Sequence, residues 1–162
     1  MKNTTLVYLI DKEHETLLLG FKNRGLGKDR WNGFGGKIEK GEGVQESALR
    51  ELWEEAGVLG RAEDLVPVAD LQFSFEVGPI WRNYVYFLYA WEGTPKKNTE
   101  FLRLKWFPVS KLPYERMWAD DAVWLPKALA GEFVEGKFYF DQKGDHILEY
   151  SLEKKQFHEQ VR

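Results

Sequence analysis

With 162 residues, 43% of them hydrophobic and 15% aromatic, the chain carries enough apolar material for one domain with a substantial core, residues 1–162. A formal net charge of −3 and a pI near 5.7 argue against the broad basic surface that a stable nucleic-acid binder needs. Cysteine is absent, which excludes disulfides and thiolate metal sites, and the three scattered histidines, His14, His146 and His158, make a poor zinc set.

In chain order, Leu6 to Ile10 and Thr16 to Phe21 read as two strands joined by the polar turn Asp11 to Glu15. A glycine-rich loop from Gly25 to Gly43 follows. From Val44 the pattern turns helical, with Val44, Ala48, Leu49, Leu52 and Ala56 at spacings of three and four and Gly57 placed as a left-handed C-terminal cap. Leu65 to Phe75, Trp81 to Trp91 and Leu104 to Val109 have the aromatic and β-branched content of strands, separated by Gly78-Pro79 and Gly93-Thr94-Pro95. Asp120 to Ala130 reads as a helix that Pro126 kinks or delays. Lys137 to Asp141 and His146 to Leu152 form a closing hairpin around Gly144-Asp145, and the Lys154 to Arg162 tail is expected to fray. There is no internal repeat or linker. No apolar run approaches about 18 residues, and the N-terminal stretch lacks the basic region, apolar core and small-residue cleavage site of a signal peptide. A soluble, cytoplasmic monomer without membrane contact is expected.

The chemistry concentrates between residues 36 and 58. There, Gly36 is followed by five residues, Glu42, seven residues, Arg50-Glu51, an aliphatic residue, any residue, Glu54-Glu55, any residue, Gly57 and an aliphatic residue. A chance match to seven such positions has odds on the order of one in 10⁸ per starting point. On a helix, Glu51, Glu54 and Glu55 fall within an arc of about 100°, beside the apolar face. They should repel one another, and they sit in the last two turns, where the helix dipole disfavours acids. Helix stability does not explain them. A hard divalent cation does, because Mg²⁺ takes oxygen ligands and is commonly shared between carboxylates and substrate phosphates.

The neighbouring residues suit such a site. Glycines at 35, 36, 41, 43 and 57 let the loop fold tightly against a metal or phosphate. Arg50 can pair with Glu46 one turn earlier or orient a metal-binding glutamate. Glu42, just before the helix, suits either capping or the site. Lys22, Arg24, Lys28, Arg30 and Lys37 crowd together around this loop, as an anionic substrate would require.

The pattern from 36 to 58 fits the Nudix box at every fixed position. The runs Arg30-Trp31-Asn32-Gly33-Phe34-Gly35-Gly36-Lys37 and Met117-Trp118-Ala119-Asp120-Asp121-Ala122-Val123-Trp124 resemble the animal-type oxidised purine nucleoside triphosphatases, the 8-oxo-dGTP diphosphatases related to MutT. The resemblance implies an α/β Nudix fold, a mixed β-sheet sandwiched between α-helices. It implies Mg²⁺-dependent hydrolysis of a nucleoside triphosphate, such as 8-oxo-dGTP or 2-hydroxy-dATP, to monophosphate and pyrophosphate, with Mn²⁺ as a substitute ion. The small-molecule nucleotide is the one partner it calls for.

By the same resemblance the metal ligands are the Gly35 carbonyl, Glu51, Glu54 and Glu55. A further family glutamate lies five residues before a Trp-Phe pair. Phe101 holds that spacing here, and a one-residue insertion would restore Glu100 to the role. Arg50 is the orienting residue, and the general base is left unassigned among the glutamates. Asn32 and the Asp120–Asp121 pair would read the base, with one of the two aspartates protonated so that donor and acceptor edges are both recognised. Trp118 would stack on the base, Phe73 and Phe75 would line its pocket, and Thr5, Lys22, Phe34, Gly35, Gly36 and Lys37 would complete the substrate contacts. This chain has Ala119 where the subfamily has proline. The alternatives are a Nudix hydrolase for ADP-ribose, a dinucleoside polyphosphate or a capped RNA end, and a nucleotide sensor without activity.

Overall fold

A computed structural model describes residues 1–155. Nine strands form one mixed sheet: β1 (Lys2–Asp11), β2 (Thr16–Lys22), β3 (Trp31–Asn32), β4 (Phe34–Lys37), β5 (Val66–Phe75), β6 (Trp81–Leu88), β7 (Phe101–Pro108), β8 (Phe133–Phe140) and β9 (Ile147–Lys155). Two helices accompany it, α1 (Val44–Ala56) and α2 (Asp121–Leu129). The main path runs β3-β2-β1-β6-β5-β8-β9, with β4 paired to β1 and β7 to β2. The β1–β6 and β5–β8 pairs are parallel, which is what makes the sheet mixed.

The central strands read as continuous apolar runs because they are buried on both faces. Side chains alternate across the sheet. Tyr8, Ile10, Leu17, Leu19, Val85 and Phe87 therefore join one core cluster, capped by Trp124, Leu125 and Ala128 of α2. Val7, Leu9, Leu18, Tyr86 and Leu88 join the other, capped by Ala48, Leu52 and Ala56 of α1. Gly57 ends α1 in the left-handed conformation, φ 69°, with its N–H donating to the Trp53 carbonyl.

Several boundaries differ from the sequence reading. The Gly25–Gly43 segment is not all loop, since β3 and β4 form inside it. The glycines there serve close strand pairing: a Cβ on Gly35 would lie 1.8 Å from the Thr5 carbonyl oxygen. The stretch read as a strand to Trp91 ends at Leu88, and Glu92 instead forms an isolated bridge with Leu59. Pro126 does not delay α2, which begins at Asp121 and runs through the proline to Leu129. Lys154 and Lys155 belong to β9, whereas the rest of the tail expected to fray lies outside the described residues. Among the described residues, no helix is long and apolar enough to cross a membrane.

The second edge of β1 is divided. Thr4 to Val7 pair with β4, whereas Ile10 and Asp11 pair with β2, so the sheet forks beside β1. The functional cleft opens at that fork.

Candidate active site

α1 and β4 build the acidic end of the cleft. Glu55 is almost completely buried and its Oε1 accepts a hydrogen bond from the Gly35 N–H at 2.8 Å. Burial pushes its carboxyl up to about 8, the Glu51 charge adds to the rise, and the Gly35 N–H and the Lys22 charge partly oppose it. Glu51 is also raised by burial, and Glu54 is half exposed.

Arg50 prevents the expected repulsion from acting alone. Its Nη1 donates to Glu51 Oε1 at 3.0 Å and Glu54 Oε2 at 3.1 Å, while its Nε donates to Glu42 Oε2 at 2.6 Å. The arginine therefore braces Glu42, Glu51 and Glu54 together. The other pairing considered, Glu46, instead accepts from the Gly43 N–H at the helix start. Glu42 belongs to this network, and the Arg50 guanidinium holds its carboxyl down to about 2. Glu55 has no ion-pairing contact to balance its burial beyond the more distant Lys22 charge, so the hard-oxygen donor set fits a divalent cation. Gly36 supports the fit, because a Cβ there would lie 2.5 Å from Glu51 Oε1 and fill the approach.

The whole cleft has a volume of about 330 Å³, and away from Glu55 it continues as an aromatic pocket. Asp120 and Asp121 border its far end and are both buried. Asp120 occupies the N-cap position of α2 but makes no side-chain cap; its Oδ2 accepts instead from the Trp124 indole N–H at 2.8 Å. Burial raises both carboxyls. Asp121 rises further, through the Asp120 charge and a hydrogen bond between the two, whereas the Trp124 N–H and the Arg30 charge restrain Asp120. Burial and mutual repulsion thus favour one proton shared by the pair.

The other expected site residues divide by position. Thr5, Lys22, Asn32, Gly35, Gly36, Lys37, Phe73, Phe75 and Trp118 all border the cleft. The Thr5 hydroxyl is buried without a hydrogen-bond partner, as a group awaiting a ligand would be. Asn32 spends its amide donors on the Gly27 and Arg30 carbonyls, at 3.2 and 2.8 Å, so here it offers the cleft an acceptor rather than both functions at once. Phe34 is a correction. Strand alternation turns it into the α1-side core, edge-on to Phe101, while Gly33 and Gly35 face the cleft.

The basic group also separates. Lys22 and Lys37 border the cleft, Lys28 is exposed outside its lining, Arg24 pairs with Glu100 and Arg30 with Asp145. Glu100 precedes a β-bulge: Phe21 pairs with Arg103 and Lys22 with Phe101, leaving Leu102 as the extra residue. The charge of Glu100 contributes to the rise at Glu55. A separate group of possible ligand atoms, on Asp11, Glu13 and His14, lies in the β1–β2 turn and does not border the cleft.

The NUDIX domain profile matches residues 2–128, which contain both ends of this cleft apart from Phe140. The chain belongs to the Nudix family. It is 38% identical over 154 residues to the oxidized purine nucleoside triphosphate hydrolase of Danio rerio, covering 94% of each chain. It is 38% identical over 149 residues to the Mus musculus hydrolase of the same name, covering 91% of this chain and 92% of that one. Its fold matches a mutator MutT protein from Bacillus halodurans with a TM-score of 0.80 at 22% identity, covering 94% of this chain and 97% of that one. The ORF135 protein of E. coli matches with a TM-score of 0.62 at 26% identity, covering 80% and 91%.

Several residues of this Nudix cleft escaped the sequence reading, notably Thr4, Leu6, Tyr8, Trp81 and Asn83. They come together through the parallel β1–β6 register, which sets Thr4 beside Asn83. Two distant segments carry no local sign of that pairing. The Thr4 hydroxyl lies 2.8 Å from the Arg82 carbonyl and 3.1 Å from the Asn83 side chain.

The two glycines of the Nudix loop should respond differently to alanine. Gly36→Ala meets only the movable end of Glu51 and should lower metal affinity and turnover about tenfold with the fold intact. Gly35→Ala meets the Thr5 backbone and should break the β1–β4 pairing. Circular dichroism melts and Mn²⁺ titration of both variants would separate these outcomes.

Proposed function

We propose that this Nudix protein hydrolyses oxidised purine nucleoside triphosphates, such as 8-oxo-dGTP and 2-hydroxy-dATP, to the monophosphate and pyrophosphate. The observation that carries the reading is the buried Asp120–Asp121 pair in an aromatic cleft that Glu55 also borders, with the Arg50-braced glutamates beside Glu55 on α1. Such a pair presents a donor and an acceptor to a purine edge, and an aromatic wall favours a flat heterocycle over a sugar. The 38% identity to two hydrolases named for oxidised purine nucleotides supports the same substrate class.

Glu51, Glu54, Glu55, the Gly35 carbonyl and Glu100 would hold Mg²⁺, or Mn²⁺ in its place. Bound there, the ion supplies Lewis-acid activation of phosphorus and a lowered pKa for attacking water. The chain's own residues do the positioning. Lys22 and Lys37 border the cleft and would meet phosphate charge, Thr5 and Asn32 would fix the nucleoside, and Trp118, Phe73 and Phe75 would enclose the base. Arg50 keeps Glu51 and Glu54 aimed. The protein acts as a single-domain monomer in the cytoplasm and clears oxidised nucleotides before they enter DNA.

The test is kcat/KM with Mg²⁺ for 8-oxo-dGTP, 2-hydroxy-dATP, dGTP, dATP and ADP-ribose, scored by product and blanked with Glu55→Gln. Oxidised purine triphosphates should lead dGTP and dATP by about tenfold or more. A lead for ADP-ribose would leave the acidic site standing and overturn the assignment of the base pocket.

A further inference from the structure

Arg30 lies in the turn just before β3, in the basic group that suggested phosphate contacts. Its position is different from that expectation. The guanidinium carbon sits 4.3 Å from the centre of the Trp118 ring, and Nη2 donates to Asp145 Oδ1 at 2.8 Å and to the Gly144 carbonyl at 3.4 Å. The Arg30 carbonyl also accepts from Asn32 Nδ2 at 2.8 Å. One side chain therefore ties together the β2–β3 turn, the loop before α2 and the β8–β9 turn. Trp118 borders the cleft and Arg30 does not, so the guanidinium backs the indole from the side turned away from the ligand. The edge of Trp118 is fixed as well: Phe140 meets it at 5.9 Å and 75°, and a Cβ on Gly144 would come within 3.1 Å of the ring.

We propose that Arg30 is a positioning residue that holds Trp118 as a preformed stacking wall for the purine base, with Asp145 fixing the guanidinium behind it. This rests on the purine reading above. The physical gain is that a loop tryptophan already ordered before binding loses little further freedom when the base arrives. Arginine suits the task because its planar guanidinium can stack on the indole while its edge donates to a carboxylate; a lysine ammonium cannot do both with the same geometry. An Arg–Asp pair on the surface would by itself contribute little, so an effect on ligand binding has to come through the indole.

A double-mutant cycle tests this with two readouts, calorimetric binding of the product 8-oxo-dGMP and steady-state kinetics on 8-oxo-dGTP. Arg30→Ala should weaken 8-oxo-dGMP binding about tenfold and raise KM in step, with a much smaller change in kcat. Arg30→Lys should recover only part of the loss, and Asp145→Asn should fall between wild type and Arg30→Ala. In a Trp118→Ala background the Arg30→Ala change should add less than about twofold, because the wall it supports is gone. Two results would overturn the proposal: an undiminished Arg30→Ala penalty in the Trp118→Ala background, meaning that Arg30 acts through another group such as Asp120, or a lowered melting temperature with unchanged 8-oxo-dGMP affinity. If the wild type bound deoxycytidine monophosphate as tightly as 8-oxo-dGMP, the purine reading would fall and this proposal with it.

Discussion

Glu55→Gln is expected to lower kcat by about a hundredfold or more and, in the same protein, to raise the melting temperature measured without metal. The two effects have one origin. Glu55 is buried, held by the Gly35 N–H and close enough to Glu51 to feel its charge, so its carboxyl stands at about 8 in the folded chain against an ordinary 4.5. The folded state therefore binds more protons than the unfolded state between these values, and stability falls as pH rises from 4.5 to 8. At pH 7 the penalty is about 3 kcal/mol at most, which corresponds to at most about 10 °C in melting temperature for a chain of this size. Glutamine keeps an oxygen acceptor for Gly35 and removes the titration. Scanning calorimetry from pH 5 to 8.5 with EDTA should show a declining melting temperature for wild type and a flatter profile for Glu55→Gln. Saturating Mg²⁺ should restore the wild type most strongly at high pH, where the carboxylate is ionised. Equal pH slopes for the two proteins would show that Glu55 is not the strained group.

Asp120→Asn should cost about a hundredfold in kcat/KM for 8-oxo-dGTP and bring that substrate level with dGTP, whereas Asp121→Asn should cost less than about tenfold. The asymmetry follows from where the shared proton sits. Asp121, whose carboxyl is raised by burial and by the neighbouring charge, is expected to be the neutral member, of which asparagine is a fair copy. Asp120 carries the charge, stabilised by the Trp124 indole N–H and the Arg30 charge, and asparagine removes it. Kinetics with both nucleotides between pH 6 and 8 would check the assignment. Equal losses in the two variants would mean that the proton is not held preferentially on Asp121.

Much of the acidic site could be read from the chain because its parts are local. Gly35 through Val58 is one continuous segment, and helical spacing alone converges Glu51, Glu54 and Glu55; burial then made them unequal, with Glu55 enclosed and Glu54 left in solvent. The resemblance pointed to the Asp120–Asp121 pair, and the structure supplied its burial and the contact with Trp124 one turn into α2. The Leu102 bulge beside Glu100 could not be read by counting residues, because a bulge exists only relative to the partner strand.

The sequence by itself determined the family, the convergence of the box glutamates on one helix face and most of the strand order along the chain, because these follow from residue type and short-range periodicity. Tertiary structure decided which face each strand residue serves, sending Phe34 into the core and Gly35 to the cleft. It brought Asn83 beside Thr4 by a parallel pairing across almost eighty positions, and it moved Arg30 from the phosphates to the back of Trp118. Those outcomes depend on long-range register and on competition among neighbours for the same charge, neither of which is encoded within a local window.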